Sequence, residues 1–399
     1  MDANHIRTRA QELADELTET RREIHRHPEL AFCEQHTAGL ICGRLEELGI
    51  EYQSGIGKTG VVGLVRGAKP GRTLLLRADM DALPVTELTG APYASQNEGV
   101  MHACGHDSHV ACLLGTARIL QENRERFCGN VKLMFQPAEE DAGGAMPMIE
   151  DGLMEHPRVD AALALHVEPT FDCGTVALKR GATMASPDEF DIVIRGRGGH
   201  GAYPHNTADP IAAAAQVIDA LQSIVARNID PNEAAVVSVC KVQAGSFYNV
   251  IPDEAVIGGT SRAISRETRK LLEERIGQVA RGVCAAMGVT CEYQYRHVFS
   301  PLINDPDMTE LICATATQLA GADKILPLQA PFMGGDDFSH IAERVPSCYF
   351  YLGCRNEEKG FVHPWHSARF DLDESCMPLG VAILTAAAIK YLSDNNPAG

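Results

Sequence analysis

The sequence predicts an α/β protein with a mostly parallel central sheet and a smaller α+β domain inserted into it. Short apolar segments typical of strands, such as 73–79 and 131–136, are separated by longer helical patterns, such as 110–126. Strands that alternate with helices in this way form largely parallel sheets. Chemically useful polar residues stand where several of these strands end, which is where open α/β sheets form their sites.

The segment from 183 to 296 has a different order of elements. Its patterns indicate β-α-β-β-α-β, the split βαβ, ferredoxin-like arrangement of a small two-layer domain. The α/β pattern resumes after residue 300 with a helix and an apolar strand. We therefore predict a larger domain formed by 1–182 and 297–399, and an inserted domain formed by 183–296.

Composition argues against several classes of protein. The chain of 399 residues has a formal net charge of −18, which argues against nucleic acid as a partner because phosphate would be repelled. Its 13 cysteines are scattered and odd in number, which indicates reduced thiols and a cytoplasmic location. The first residues lack an apolar signal core, and no run of 18 apolar residues predicts a membrane span.

The first candidate site residues, Cys104 and His106, lie in the stretch "MHACGHDSHV". A thiolate and an imidazole two residues apart in an extended loop can both point at one cation. Sulfur and nitrogen donors suit zinc or a similar divalent ion. The alternative is a free cysteine beside residues that cap the following helix.

Further candidates follow the ends of other strands. Glu139 and Glu140 end the pattern "VKLMFQPAEE", and adjacent carboxylates after a buried strand need a cation or hydrogen bonds to compensate them. His166 ends "AALALH". The stretch "VHPWHSARFDLDE" offers two further candidate ligands, His363 and His366. The alternative for Glu139 and Glu140 is a solvated acidic loop, and the alternative for His166 is a histidine that packs in the core.

Two aspartates in "RADMD", Asp79 and Asp81, have two open interpretations. They are either metal ligands or carboxylates that orient a ligating histidine and raise its basicity. His109 follows on the predicted helix and is expected to pack there.

Nine stretches resemble the M20 family of metallopeptidases and amidohydrolases, in particular its aminoacylases, hippurate hydrolases and indole-acetyl-amino-acid hydrolases. They run in order along nearly the whole chain: "HRHPEL", "RADMDALP", "MHACGHDSHVA", "FQPAEE", "ALALHV", "GGHGAYPH", "NVIPDEA", "GGDDFS" and "HSARFDLDE". The resemblance implies two divalent ions, zinc or else manganese, cobalt or nickel. It implies the following ligands for them: Cys104, His106, Glu140, His166 and His366. It also implies that Glu139 is the general base, although Ala368 replaces the proline usual two residues after the last ligand.

The resemblance further implies that the inserted domain acts as a lid and as the contact of a homodimer. Its residues His200, Asn249 and Arg262 are implied to face the metal cleft and meet the substrate. His200 would hold the oxyanion, and Arg262 suits a carboxylate because a guanidinium binds it with two hydrogen bonds. The backbone amide of Gly334 is expected near the leaving group.

The implied reaction is metal-dependent hydrolysis of the amide bond of a small N-acyl amino acid. Two alternatives use the same site, namely a dipeptide hydrolase and a non-catalytic metal- or ligand-binding protein. A thiol hydrolase, in which His106 activates Cys104, is less favoured because two residues in one loop make a poor nucleophile–base pair.

Overall fold

The computed structural model describes residues 2–141 and 143–394. The chain forms two compact units. The first comprises Met1–Gly181, Ile303–Ala330 and Asp336–Gly399. The second comprises Ala182–Leu302 and Pro331–Gly335, and each has an apolar core of its own.

Strands and helices follow one another along the described residues. The strands are β1 Glu51–Ile56, β2 Gly60–Arg66, β3 Lys69–Asp79, β4 Cys128–Gln136, β5 Ala161–Asp172, β6 Val176–Leu178, β7 Gly181–Met184, β8 Ser186–Arg195, β9 Gly199–His200, β10 Ala235–Ala244, β11 Val250–Ile251, β12 Glu254–Ala263, β13 Thr290–Arg296, β14 Leu302–Asn304, β15 Ile325–Pro327 and β16 Ser347–Arg355. The α-helices are α1 Ala3–Glu12, α2 Ala14–Arg26, α3 Gln35–Glu47, α4 His106–Glu122, α5 Ala145–Glu150, α6 Pro210–Leu221, α7 Ser223–Asn228, α8 Arg266–Ala286, α9 Pro306–Ala320, α10 Ser339–Ala342 and α11 Met377–Asp394.

The first unit contains an eight-stranded sheet in the order β1-β2-β4-β3-β5-β16-β6-β15. The pairings β3–β4, β3–β5, β5–β16 and β6–β15 are parallel, while β1–β2, β2–β4 and β6–β16 are antiparallel. The inner strands β3, β4, β5 and β16 are buried over most of their length, as expected where both faces of a parallel sheet are covered. The predicted mostly parallel central sheet is confirmed.

The register of the inner strands brings their carboxyl ends to one edge of the sheet. Asp79 at the end of β3 pairs with Gln136 at the end of β4. His166 in β5 pairs with Tyr351 in β16. The segments that follow these strands therefore leave the sheet side by side.

The helix α11 lies within the core of the first unit. In the described residues, the segment Glu374–Asp394 is long and apolar enough to cross a membrane by length and composition alone. However, 78% of its apolar window is buried inside the protein, as expected of a core helix. It packs against α1, α4 and α9.

The second unit contains a four-stranded sheet in the order β10-β12-β8-β13, in which all pairings are antiparallel. Its two long helices begin at side-chain caps, since Asp209 accepts from backbone N–H groups of α6 and Ser265 accepts from one of α8. Both helices contact β12. The chain order β8, α6, β10, β12, α8, β13 is the split βαβ order that the sequence pattern predicts.

Candidate metal centre

A tight turn presents Cys104 and His106 at the start of α4. Gly105 between them has φ +86, a left-handed conformation that favours glycine. A Cβ at this position would lie 2.4 Å from Cγ2 of Val167, so no larger residue fits without movement. Both flanking side chains are buried, with 8% exposure for Cys104 and 1% for His106.

Hydrogen bonds fix the orientation of the two central imidazoles. Nδ1 of His106 lies 3.0 Å from the backbone oxygen of Asp81, and its Nε2 has no hydrogen-bond partner among the described residues. Nδ1 of His166 lies 2.7 Å from the backbone oxygen of Val167, and its Nε2 lies 3.5 Å from Sγ of Cys104. Because each Nδ1–H donates to a carbonyl, each Nε2 is directed towards the shared centre.

Glu140 connects the remaining candidates to this centre. Its Oε1 lies 3.9 Å from Nε2 of His106 and 3.3 Å from Nε2 of His366. His366 has φ +62, and its N–H donates to the backbone oxygen of Ala103 at 2.8 Å, which ties it to the loop of Cys104. The five side chains predicted as ligands are therefore linked by short contacts.

The chemistry of this cluster fits a divalent cation. The candidate ligand atoms of Cys104, His106 and Glu140 all lie within 4.8 Å of one another. Burial opposes protonation of His106, but the carboxylates of Asp79 and Asp81 outweigh it and raise the pKa of His106 to about 10. The cluster thus stabilises a positive charge, and a cation that displaces this proton would satisfy His106 Nε2, which has no hydrogen-bond partner among the described residues.

Asp81 orients two of the candidate ligands. Its Oδ1 lies 3.3 Å from Nδ1 of His106, and its Oδ2 accepts the backbone N–H of Glu140 at 3.0 Å. Of the two interpretations left open by the sequence, these contacts favour an orienting carboxylate over a ligand for Asp81.

Asp79 lies in a buried chain of charges that the sequence did not reveal. Its Oδ2 accepts from Arg77 at 2.5 Å, and its Oδ1 accepts from Nδ1 of His109 at 2.5 Å. His109 accepts the N–H of Val167 at Nε2, which makes it a neutral ring with a fixed tautomer. Burial opposes ionisation of Asp79, but the charges of Arg77 and His106 and the hydrogen bond from His109 outweigh it and hold its pKa well below the usual value. The ligand atoms of Asp79 and His109 also lie within 4.8 Å of those of His106 and His166, so Asp79 keeps both interpretations.

Glu139 is buried beside this centre without a hydrogen bond to its carboxyl from the described residues. Its candidate ligand atom lies within 4.8 Å of those of Asp336 and Asp337. Burial, followed by the charges of Asp336 and Glu140, raises the pKa of Glu139 well above its usual value. Glu139 is therefore a buried carboxyl whose pKa is perturbed, and its role as the general base stays a prediction.

Arg77 compensates the excess negative charge on this side. It donates to Asp336 Oδ1 at 3.1 Å and to Gln136 Oε1 at 2.9 Å, and its side chain is fully buried. Asp337 accepts from the side chain of Gln136 at 2.6 Å. Two features of the sequence could have indicated this buried charge network, namely the arginine inside the apolar strand "TLLLRAD" and the paired aspartates of "GGDDFS".

The substrate residues predicted in the second unit form two pairs there. His200 pairs with Val250 across β9 and β11, and Gly201 donates to the backbone oxygen of Asn249 at 2.8 Å, so His200 and Asn249 are neighbours. Arg262 donates through Nε to the backbone oxygen of Met333 at 3.1 Å, directly before Gly334. Their roles towards a substrate stay predictions.

A buried cluster of sulfur, imidazole and carboxylate donors at this edge of a parallel sheet is a site of the kind that metal-dependent hydrolases use. Residues 75–390 match the model of "Peptidase family M20/M25/M40". The chain belongs to this family.

Similar proteins cover almost the full chain. Thermostable carboxypeptidase 1 of Saccharolobus solfataricus is 39% identical over 390 residues, which are 97% of this chain and 98% of that protein. N-acetyl-L-cysteine deacetylase of Bacillus subtilis is 40% identical over 383 residues, or 96% of this chain and 90% of that protein. A crystal structure from Bacillus subtilis, described as a dinuclear metal-binding peptidase of the M20 family, matches with a TM-score of 0.84 and 35% identity, covering 96% of this chain and 99% of that one. The protein is thus an enzyme of the amidohydrolase and peptidase class, as the resemblance implied.

Proposed function

We propose that this protein hydrolyses the amide bond of N-acyl amino acids and releases a carboxylic acid and a free amino acid. The observation that carries the proposal is the carboxyl of Glu139, which is buried beside Asp336 and Asp337 and directly precedes the candidate ligand Glu140. A protein that only bound a metal would need the donors but no such base. The similarity to an N-acetyl-L-cysteine deacetylase supports an N-acyl substrate.

The donor set would hold two divalent ions, either zinc or another of manganese, cobalt and nickel. The proposed ligands are Cys104, His106, Glu140, His166 and His366. When bound, such ions lower the pKa of a coordinated water and polarise the acyl carbonyl. The dinuclear centre of the related Bacillus subtilis peptidase supports the count of two.

Glu139 performs the proton transfers in this proposal. Its carboxylate accepts the proton of the attacking water, and its carboxylic acid then delivers this proton to the nitrogen of the leaving amine. A raised pKa suits both steps, because the group must bind the proton firmly enough to carry it between them. Glu140 cannot take this role because its carboxylate is directed at His106 and His366.

The second unit would supply the contacts to the substrate. His200 would stabilise the oxyanion, and Arg262 with Asn249 would bind the carboxylate of the amino acid. The amide of Gly334 would lie near the leaving group. A cytoplasmic homodimer that associates through this unit completes the proposal.

A dipeptide hydrolase is the second candidate, favoured by the similarity to a thermostable carboxypeptidase. A thiol hydrolase is disfavoured because burial, together with the charges of Glu140 and Glu139, raises the pKa of Cys104 well above its usual value. A thiol that stays protonated is a poor nucleophile.

The test is a hydrolysis screen of protein reconstituted separately with zinc, manganese, cobalt and nickel. We expect turnover of N-acetyl and N-benzoyl amino acids, with loss of activity after chelation. Faster turnover of dipeptides would favour the second candidate. Binding of these compounds without turnover of any would refute both.

A further inference from the structure

Glu34 is a buried carboxylate close to the candidate centre that no step above uses. It precedes α3 and has 0% exposure. Its Oε1 accepts the backbone N–H of Phe32 at 3.0 Å and that of Ala138 at 2.9 Å. Its Oε2 accepts the hydroxyl of Thr59 at 2.5 Å. One carboxylate thus joins three segments that are far apart in the chain.

These three segments share an unusual backbone conformation. Phe32 has φ +59, Lys58 has φ +82 and Ala138 has φ +53, although none is glycine. Side chains disfavour this left-handed region, so it persists only where the surroundings hold it. Glu34 binds Phe32 and Ala138 directly, and it binds Thr59, which follows Lys58. The carboxylate therefore supplies the hydrogen bonds that hold strained backbone in place.

The strained residue Ala138 immediately precedes the pair Glu139 and Glu140. The other end of this short turn is also held by a carboxylate, since Asp81 accepts the N–H of Glu140 at 3.0 Å. The turn is thus anchored by Glu34 before the pair and by Asp81 at its end. The side chain of Glu139 has no hydrogen bond of its own among the described residues, so its direction depends on this backbone.

We propose that Glu34 is a positioning residue that sets the direction of Glu139 and Glu140 through the backbone of Ala138. It acts through these residues and does not touch the substrate. The inference rests on the proposed function for the role of Glu139, whereas its consequence for Glu140 concerns metal binding alone.

The test compares substitutions at Glu34 with matched substitutions at Glu29. Glu29 also precedes α3, and its carboxylate also accepts backbone N–H groups, those of His36 at 2.9 Å and Thr37 at 3.0 Å. Within the described part of the chain, no hydrogen bond joins its side chain to the turn of Ala138. For Glu34→Ala we expect a loss of about 10–100-fold in zinc affinity and in kcat, the range known for residues that orient metal ligands, with little change in KM. Glu34→Gln keeps an oxygen that can accept from Phe32 and Ala138 and should lose less. Glu29→Ala should leave zinc affinity and kcat within about two-fold of the parent, because Glu29 orients no candidate metal ligand.

A second substitution separates positioning from a general loss of stability. Glycine adopts the left-handed region without penalty, so Ala138→Gly in the Glu34→Ala background should restore a large part of the zinc affinity and kcat. The proposal is overturned if folded Glu34→Ala binds zinc and turns over substrate like the parent. It is also overturned if Glu29→Ala shows equal losses, or if the added Ala138→Gly restores nothing.

The two proposals fail in different ways. If the parent enzyme hydrolyses no N-acyl amino acid, the proposed function is wrong. The zinc affinities of the Glu34 and Glu29 variants, measured by competition with a chromophoric chelator, still decide whether Glu34 positions Glu140.

Discussion

The turn at Gly105 gives the sharpest test of how the candidate centre is built. Substitution by alanine meets two obstacles, namely the left-handed φ of +86 and a Cβ position 2.4 Å from Cγ2 of Val167. The left-handed conformation costs a residue with a Cβ roughly 1–2 kcal/mol. Overpacking of a core adds about 1–3 kcal/mol. We expect Gly105→Ala to lower the free energy of unfolding by about 2–5 kcal/mol.

Gly90 provides a matched control within the same unit. It has φ +70, but a Cβ there would meet no atom within 4 Å. Gly90→Ala should therefore show only the conformational cost, roughly 1–2 kcal/mol. The difference between the two variants isolates the steric cost at Val167.

The measurement is urea unfolding followed by circular dichroism, with the slopes compared to confirm that both variants unfold alike. Zinc titration of the folded variants gives a second readout, because displacement of Gly105 moves both Cys104 and His106. The reasoning is wrong if Gly105→Ala is no less stable than Gly90→Ala. It is equally wrong if a folded Gly105→Ala binds zinc as tightly as the parent.

Three further predictions concern individual side chains. Glu139→Gln should keep its metal content and lose about 10²–10⁴-fold in kcat, the usual contribution of a general base; near-parental turnover would refute that role. Glu140→Ala should lose metal on dialysis by elemental analysis, and full retention would remove Glu140 from the ligand set. A hydrogen bond from Cys376, opposed by burial, lowers the pKa of Cys173 to about 7, so alkylation of Cys173 by iodoacetamide should rise through neutral pH. Burial raises the pKa of Cys112 to about 12, so that thiol should stay unreactive. Equal alkylation rates of the two cysteines, measured by peptide mass spectrometry, would contradict this prediction.

Local patterns were sufficient to predict much of the fold and to single out the donor residues, whereas the ligand set itself was implied by the family resemblance. Cys104 and His106 stand two residues apart before an apolar helix, so their proximity needs no knowledge of the fold. Glu140 follows an apolar strand, and the general rule for parallel sheets places such an end at the site. His166 was predicted to end a strand, but β5 continues to Asp172 and His166 lies within it. The sequence pattern of residues 8–26 is typical of one continuous helix, but the structure has a break at Leu13, between α1 and α2, which a periodic pattern does not reveal.

The supporting residues could not be predicted because their partners are distant in the sequence. Arg77 and Asp336 are 259 positions apart, and Glu34 and Ala138 are 104 apart. His109 was expected only to pack on its helix, yet it bonds to Asp79. Each of these contacts depends on the register of strands and loops, which residue type alone does not specify.

The strand order of the eight-stranded sheet has a consequence for synthesis of the chain. β5 pairs with β16, and the entire second unit is translated between them. Until β16 leaves the ribosome, the apolar edge of β5 has no neighbour on that side. Arg77 likewise lacks the carboxylate of Asp336 until that residue, which precedes β16, has been made. The nascent protein therefore exposes an unpaired strand edge, which can pair with other chains, while more than a hundred further residues are made. Protection by a chaperone would matter most during that time.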